Sequence, residues 1–377
     1  MANPLQQLAA LGQSVWLDYI HRDLFSGGRL RRMIDEDALT GMTSNPAIFE
    51  KAIDAGQAYD EQIVSLARAG RSANDIYEAI SQSDVQHAAD ELRRVYDATR
   101  GEDGYVSLEV NPHLARDQAG TIAEGRRLWA ALGRPNAYIK VPATAEGLGA
   151  IRTLISEGIN VNVTLLFSLA RYQEVMDAYL SGLEQRLAAG GSIERVSSVA
   201  SFFISRIDAM VDPLLETRMR SGHDGEAEAA HGEVAIACGK LAYNLYGRTF
   251  ADQRFQRLAA RGARAQRLLW ASTSTKNPKY SDVKYVEALL GPGTVDTMPL
   301  GTLEAYRDHG KPQSRLTQGL SQAREIFESL PALGVDIDAV CRKLENEGID
   351  KFNQPFDKLL QQIEAHVTRV RRGQPQH

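Results

Sequence analysis

The apolar and polar positions divide the chain into eight short strand-like segments, separated by longer stretches with helical spacing. The strand-like segments are 14–20, 41–46, 104–110, 137–143, 159–165, 197–204, 267–273 and 294–300. Between them, apolar residues recur every three or four positions. The stretch 114–132 carries Ala115, Ala119, Ile122, Ala123, Leu128 and Leu132, and 168–187 opens with Ser168, a residue type that caps helix N-termini. Strands that alternate with helices pair in parallel. Eight such units predict an α/β fold closed into a (β/α)8 TIM barrel rather than an open doubly wound sheet. A dinucleotide fold would need GxGxxG after its first strand; that run and a Walker A loop are both missing from the sequence. Beyond the eighth strand, 316–330, 337–347 and 355–370 read as additional C-terminal helices around the barrel. No internal repeat or low-complexity linker interrupts the chain, so residues 1–377 read as one domain.

The exceptions to the apolar pattern carry the chemistry. A parallel strand covered on both faces should be almost continuously apolar. In 104–110, Val106, Leu108 and Val110 suit the helix side, which leaves Tyr105, Ser107 and Glu109 pointing into the barrel. In 159–165, Val161, Val163 and Leu165 face out while Asn160, Asn162 and Thr164 face in. Lys140 lies between Ile139 and Val141, and Asp18 alternates with Leu17 and Tyr19. Each has an ordinary reading when taken alone. A lysine can snorkel at a sheet edge, an asparagine or threonine can close a turn, and an aspartate can cap the next helix. Inward polar residues on four strands, late in each and so near the C-terminal mouth, point instead to a functional site.

Composition narrows the function. Lys and Arg number 43 against 48 Asp and Glu, a net charge of −5, which does not attract nucleic-acid phosphates over long range. Arg369, Arg371 and Arg372 read as a solvated helix terminus rather than a binding patch. Two distant cysteines, Cys238 and Cys341, fit neither a disulfide framework nor a zinc site and suit a reducing compartment. The N-terminus lacks the basic and apolar segments of a signal peptide, and no apolar run is long enough to cross a bilayer. A cytoplasmic protein with no membrane partner is expected, with monomer and homodimer both left open. None of the eight histidines forms an HxxxH or HxH pair, so neither a metal nor another cofactor is expected.

Lys140 is the natural nucleophile, because a low-dielectric site favours the reactive neutral amine; Ile139, Val141 and Phe203 are the expected wall. An amine that attacks a ketone gives an iminium, which accepts the electrons released when a neighbouring carbon–carbon bond breaks. Two carboxylates on other strands can divide the proton transfers. This is a class I aldol-type set.

The same residues carry a family resemblance. Leu17-Asp18, Thr43-Ser44-Asn45-Pro46, Ser107-Leu108-Glu109-Val110, Ile139-Lys140-Val141-Pro142-Ala143-Thr144, the run 158–168 and the run 201–206 resemble, in order, the transaldolase family. The resemblance implies that Lys140 forms a Schiff base with C2 of a ketose phosphate and that Asp18 exchanges the C4 hydroxyl proton. It implies that Glu109 and Thr164 relay protons through a water, and that Asn45 and Asn162 hold dihydroxyacetone hydroxyls. Ser201 and Arg206 would bind the substrate phosphate. The family pattern has a second arginine after a strand-seven serine; here Ser272 is followed by Lys276, which can bind phosphate without bidentate geometry. Sugar phosphates are therefore the expected partners. Related fructose-6-phosphate aldolases are shorter and carry glutamine in place of Glu109, a binding-only barrel would not need a buried amine, and fusion to an isomerase would need a longer chain.

Overall fold

A computed structural model describes residues 3–54, 57–220, 222 and 225–371. Arg372 and the first two residues of the N-terminal segment lie outside them. Eight parallel strands close into a barrel in sequential order: β1 (Gln13–Asp18), β2 (Leu39–Thr43), β3 (Tyr105–Glu109), β4 (Ala137–Pro142), β5 (Val161–Leu166), β6 (Ser198–Phe203), β7 (Arg267–Ala271) and β8 (Thr294–Met298). All eight fall inside or within two residues of the expected segments, and a helix follows each. Ser168 does cap its helix, accepting a hydrogen bond from the Arg171 amide at 3.0 Å.

The lower barrel is filled with aromatic rings. Tyr105 stacks on Tyr138 with centroids 4.3 Å apart, and Trp16 lies 6.1 Å from Tyr138. Trp16 has room because its β2 neighbour is Gly41: a Cβ there would come within 2.3 Å of the indole. Below the rings, Asp103 accepts from Trp16 Nε1 (2.7 Å) and from the Ser14 hydroxyl, while Arg267 donates to Ser14 Oγ (2.8 Å) and to the Glu102 carbonyl (2.9 Å).

The expected helix 316–330 is shorter, Leu320–Ser329. The two expected final helices are one, Ile337–Arg371, which runs through Pro355. A proline inside a helix removes one hydrogen bond and crowds the preceding turn, at a cost of about 3 kcal/mol. Buried anchors on both sides, Phe352, Phe356, Leu359 and Ile363, offset it. Phe356 packs edge-on against Tyr77, and Gly348 passes so close to Leu165 that a Cβ would approach its side chain to 2.8 Å. The helix thereby lies across the C-terminal mouth.

Candidate active site

Strand register assembles the site. Glu109 pairs with Lys140 and Lys140 with Asn162, so three inward side chains on β3, β4 and β5 stand in one row. Asp18 ends β1 beside Thr43 of β2. At β5 the register slips between Val163 and Leu166, and Leu165 takes φ = 55°. This is a bulge of the kind that re-aims side chains at a barrel rim.

Lys140 Nζ is buried, donates to the Ser44 carbonyl at 3.2 Å and lies 3.7 Å from Glu109 Oε2. The Phe352 ring of the C-terminal helix stands 5.6 Å from the amine. The expected wall needs correction here: Ile139 reaches the Gly125 helix, and alternation sends Val141 the same way. Phe203 lines the cavity but packs near the Arg206 guanidinium, at 5.6 Å. Phe352 supplies the apolar cover that those residues were expected to give.

Two carboxyls flank the amine. Burial pushes the Glu109 carboxyl up to about 7; the Lys140 charge opposes that rise and Asp18 adds to it. Burial also raises Asp18, against the Lys140 charge and the Thr43 hydroxyl, which donates to Asp18 Oδ1 at 2.6 Å. Thr43 in turn touches Thr297 at 2.7 Å. Glu109 Oε2 and Thr164 Oγ1 are buried without a hydrogen-bond partner among the described residues.

A cavity of about 640 Å³ opens over this row. Asp18, Asn45, Lys140, Thr164, Ser201, Arg206, Ser272 and Lys276 line it. Glu109 and Asn162 sit behind that surface: Asn162 donates to Ser107 Oγ (2.9 Å) and accepts from Ser201 Oγ (2.6 Å). Ser201 therefore steadies Asn162 as well as facing the cavity. Asn45 Oδ1 accepts from the Ile48 amide at 3.1 Å, capping the helix Pro46–Asp54. Arg206 opens the helix Ser205–Arg220; burial lowers its pKa, against the charges of Glu347 and Asp18. Arg206 Nη1 is also buried without a partner among the described residues. Ser272 takes φ = 56°, rare for serine, and its hydroxyl lies 3.1 Å from Ser205 Oγ. Lys276 donates to Ser274 Oγ at 2.7 Å, and burial and the Arg206 charge lower its pKa.

Sequence reasoning did not single out Thr43, Ser44 or Thr297, although Thr43 and Ser44 belong to the quoted motif on β2. It also missed Lys351 and Phe352, which line the cavity from the distant C-terminal helix. Both fall between the expected helices 337–347 and 355–370, where the sequence reading assigns no element.

An eight-stranded parallel barrel with an amine and two carboxyls buried at its C-terminal mouth defines the class: a (β/α)8 barrel that presents a lysine to a cavity. The comparisons agree. Residues 15–363 match the family described as Transaldolase/Fructose-6-phosphate aldolase. A transaldolase of Trichodesmium erythraeum is 45% identical over 98% of this chain and 99% of its own. One from Parafrankia sp. is 48% identical over 97% and 99%, and one from Thermobifida fusca 47% over 97% and 100%. The chain belongs to the transaldolase/fructose-6-phosphate aldolase family.

Proposed function

We propose that this protein is a transaldolase, which transfers a dihydroxyacetone unit between sugar phosphates through an iminium on Lys140. The observation that carries the reading is the buried Lys140 amine, 3.7 Å from Glu109, in a cavity also lined by Asp18, Arg206 and Lys276.

The Lys140 amine adds to C2 of fructose 6-phosphate or sedoheptulose 7-phosphate, and loss of water gives the iminium. Glu109, poised near neutrality, gives and takes the protons of that dehydration and its reversal; its orphaned oxygen and that of Thr164 suit a shared water. Asp18 removes the C4 hydroxyl proton, the C3–C4 bond breaks, and its electrons enter the iminium to leave an enamine. The aldose phosphate departs. The enamine then attacks the aldehyde of erythrose 4-phosphate or glyceraldehyde 3-phosphate, Asp18 returns its proton, and water releases the new ketose. Asn45 and Asn162 hold hydroxyls of the three-carbon unit. Arg206, at a helix N-terminus, takes the phosphate with Ser201, Ser272 and Lys276. We place this chemistry in the cytoplasm, whose reducing conditions suit the free, buried Cys238 and Cys341.

Fructose 6-phosphate supplied with erythrose 4-phosphate should yield sedoheptulose 7-phosphate and glyceraldehyde 3-phosphate. Free dihydroxyacetone as the main product would make the protein an aldolase instead.

A further inference from the structure

Beside the main cavity lies a second of about 480 Å³, between the helix Ser205–Arg220 and the C-terminal helix. Arg206, Lys276 and Lys351 line both, and so stand where the two cavities meet. Among the described residues the smaller cavity is lined by a single carboxylate, Glu347, one turn before Lys351 and 2.9 Å from its amine. The charges there do not cancel. Within the smaller cavity's lining, three cations against one anion leave an excess of two positive charges, which Asp18 in the main cavity offsets only for Arg206 and Lys276, and Arg206 Nη1 has no partner among the described residues. A phosphate monoester carries about −1.5 to −2 near neutral pH, which matches that excess.

The cations come from three separate elements: the start of the helix after β6, the loop after β7, and the C-terminal helix. Lys351 adjoins Phe352, the residue that covers the Lys140 amine. Its side chain is half-exposed, so its ion pair with Glu347 is weak and readily exchanged.

We propose that Lys351 is a specificity-determining residue of this site: it exchanges Glu347 for the phosphate of the bound ketose phosphate and completes a three-cation clamp with Arg206 and Lys276. The proposal rests on the transaldolase reading of the main cavity. The C-terminal helix then contributes to both ends of the substrate, Phe352 at the carbonyl and Lys351 at the phosphate. Glu347 occupies the lysine when no substrate is present and sets a threshold that a neutral sugar cannot overcome.

Two variants with opposite expected signs test this. Binding of inorganic phosphate to the full chain is measured by calorimetry, and kcat/KM is compared for fructose 6-phosphate and fructose. In Lys351→Met, phosphate binding should weaken about tenfold, the scale of one charge-assisted hydrogen bond, and the preference for the phosphorylated sugar should fall by a similar factor. Lys351→Arg should restore both. In Glu347→Gln, phosphate should bind more tightly than in the wild type. Unchanged phosphate affinity in Lys351→Met, or equal losses on both sugars, would overturn the proposal. Because phosphate binding is read without turnover, a wild type that binds phosphate yet transfers nothing would count against the transaldolase reading instead.

Discussion

The two ends of the barrel bury charge in opposite ways. At the base, Asp103 is held by Ser14, Trp16 and Arg267, and Arg267 also donates to Ser14 and the Glu102 carbonyl. Both Asp103 oxygens, Trp16 Nε1, Ser14 Oγ and the two terminal Arg267 nitrogens have partners there, and the aromatic layer of Trp16, Tyr105 and Tyr138 seals the network from above. At the mouth, Glu109 Oε2, Thr164 Oγ1 and Arg206 Nη1 are buried without hydrogen-bond partners among the described residues, and both carboxyls are pushed above their ordinary range by burial. Burying an unsatisfied polar group costs about 1–3 kcal/mol, so the charged row at the mouth gives up stability that the Asp103 network retains. The base closes a barrel; the mouth is arranged for groups that a substrate brings.

That contrast is breakable at either end. The largest kinetic effect short of removing the lysine should come from Asp18→Asn, which keeps the shape but cannot take the C4 proton: kcat should fall by about 10²–10⁴ with little change in thermal stability. Retained kcat would place the base elsewhere. At the other end, Asp103→Ala should reverse the pattern. Removing the carboxylate that Ser14, Trp16 and the partly buried Arg267 share should cost about 3 kcal/mol in denaturant unfolding, while the surviving folded protein keeps its kcat. A kinetic loss there, with stability intact, would dissolve the division between base and mouth.

A smaller effect should show in the pH dependence of stability. Glu109 is raised from 4.5 to about 7, so between those values the fold holds a proton that the unfolded chain has released. Its contribution is therefore greatest below pH 4.5, declines as pH rises through that window, and levels off above 7, by up to about 3 kcal/mol. Glu109→Gln should flatten this slope and slow Schiff-base formation. An unchanged slope would mean that Glu109 ionises as an ordinary carboxyl.

Much of this was legible in the sequence because strands have a period of two. That period is why Tyr105, Ser107 and Glu109 could be placed inside the barrel, and the short strands with their helical gaps were enough to predict closure. The same rule exposes the main misreading: residues that alternate with Lys140, as Ile139 and Val141 do, cannot share its face. Register between strands was not legible, so the row of Glu109, Lys140 and Asn162 emerged only in three dimensions. The C-terminal helix was the least readable part. The reading begins a new helix at Pro355, where proline is locally at home, whereas the anchors that carry one helix through it, Phe352 and Phe356, contact residues far away in the chain. For the same reason, nothing in the spacing of Lys351 and Phe352 showed that they reach the site. Ser272 could be aligned with a family motif, but its left-handed backbone depends on the turn that follows β7.

The most direct test of the account is chemical trapping. The protein is incubated with fructose 6-phosphate, reduced with borohydride, digested and mapped by mass spectrometry. A dihydroxyacetone-sized addition on Lys140, absent from Lys140→Ala, is the expected result. No adduct, or one on another lysine such as Lys276 or Lys351, would contradict the assignment of Lys140 as the nucleophile and with it the reading of the mouth.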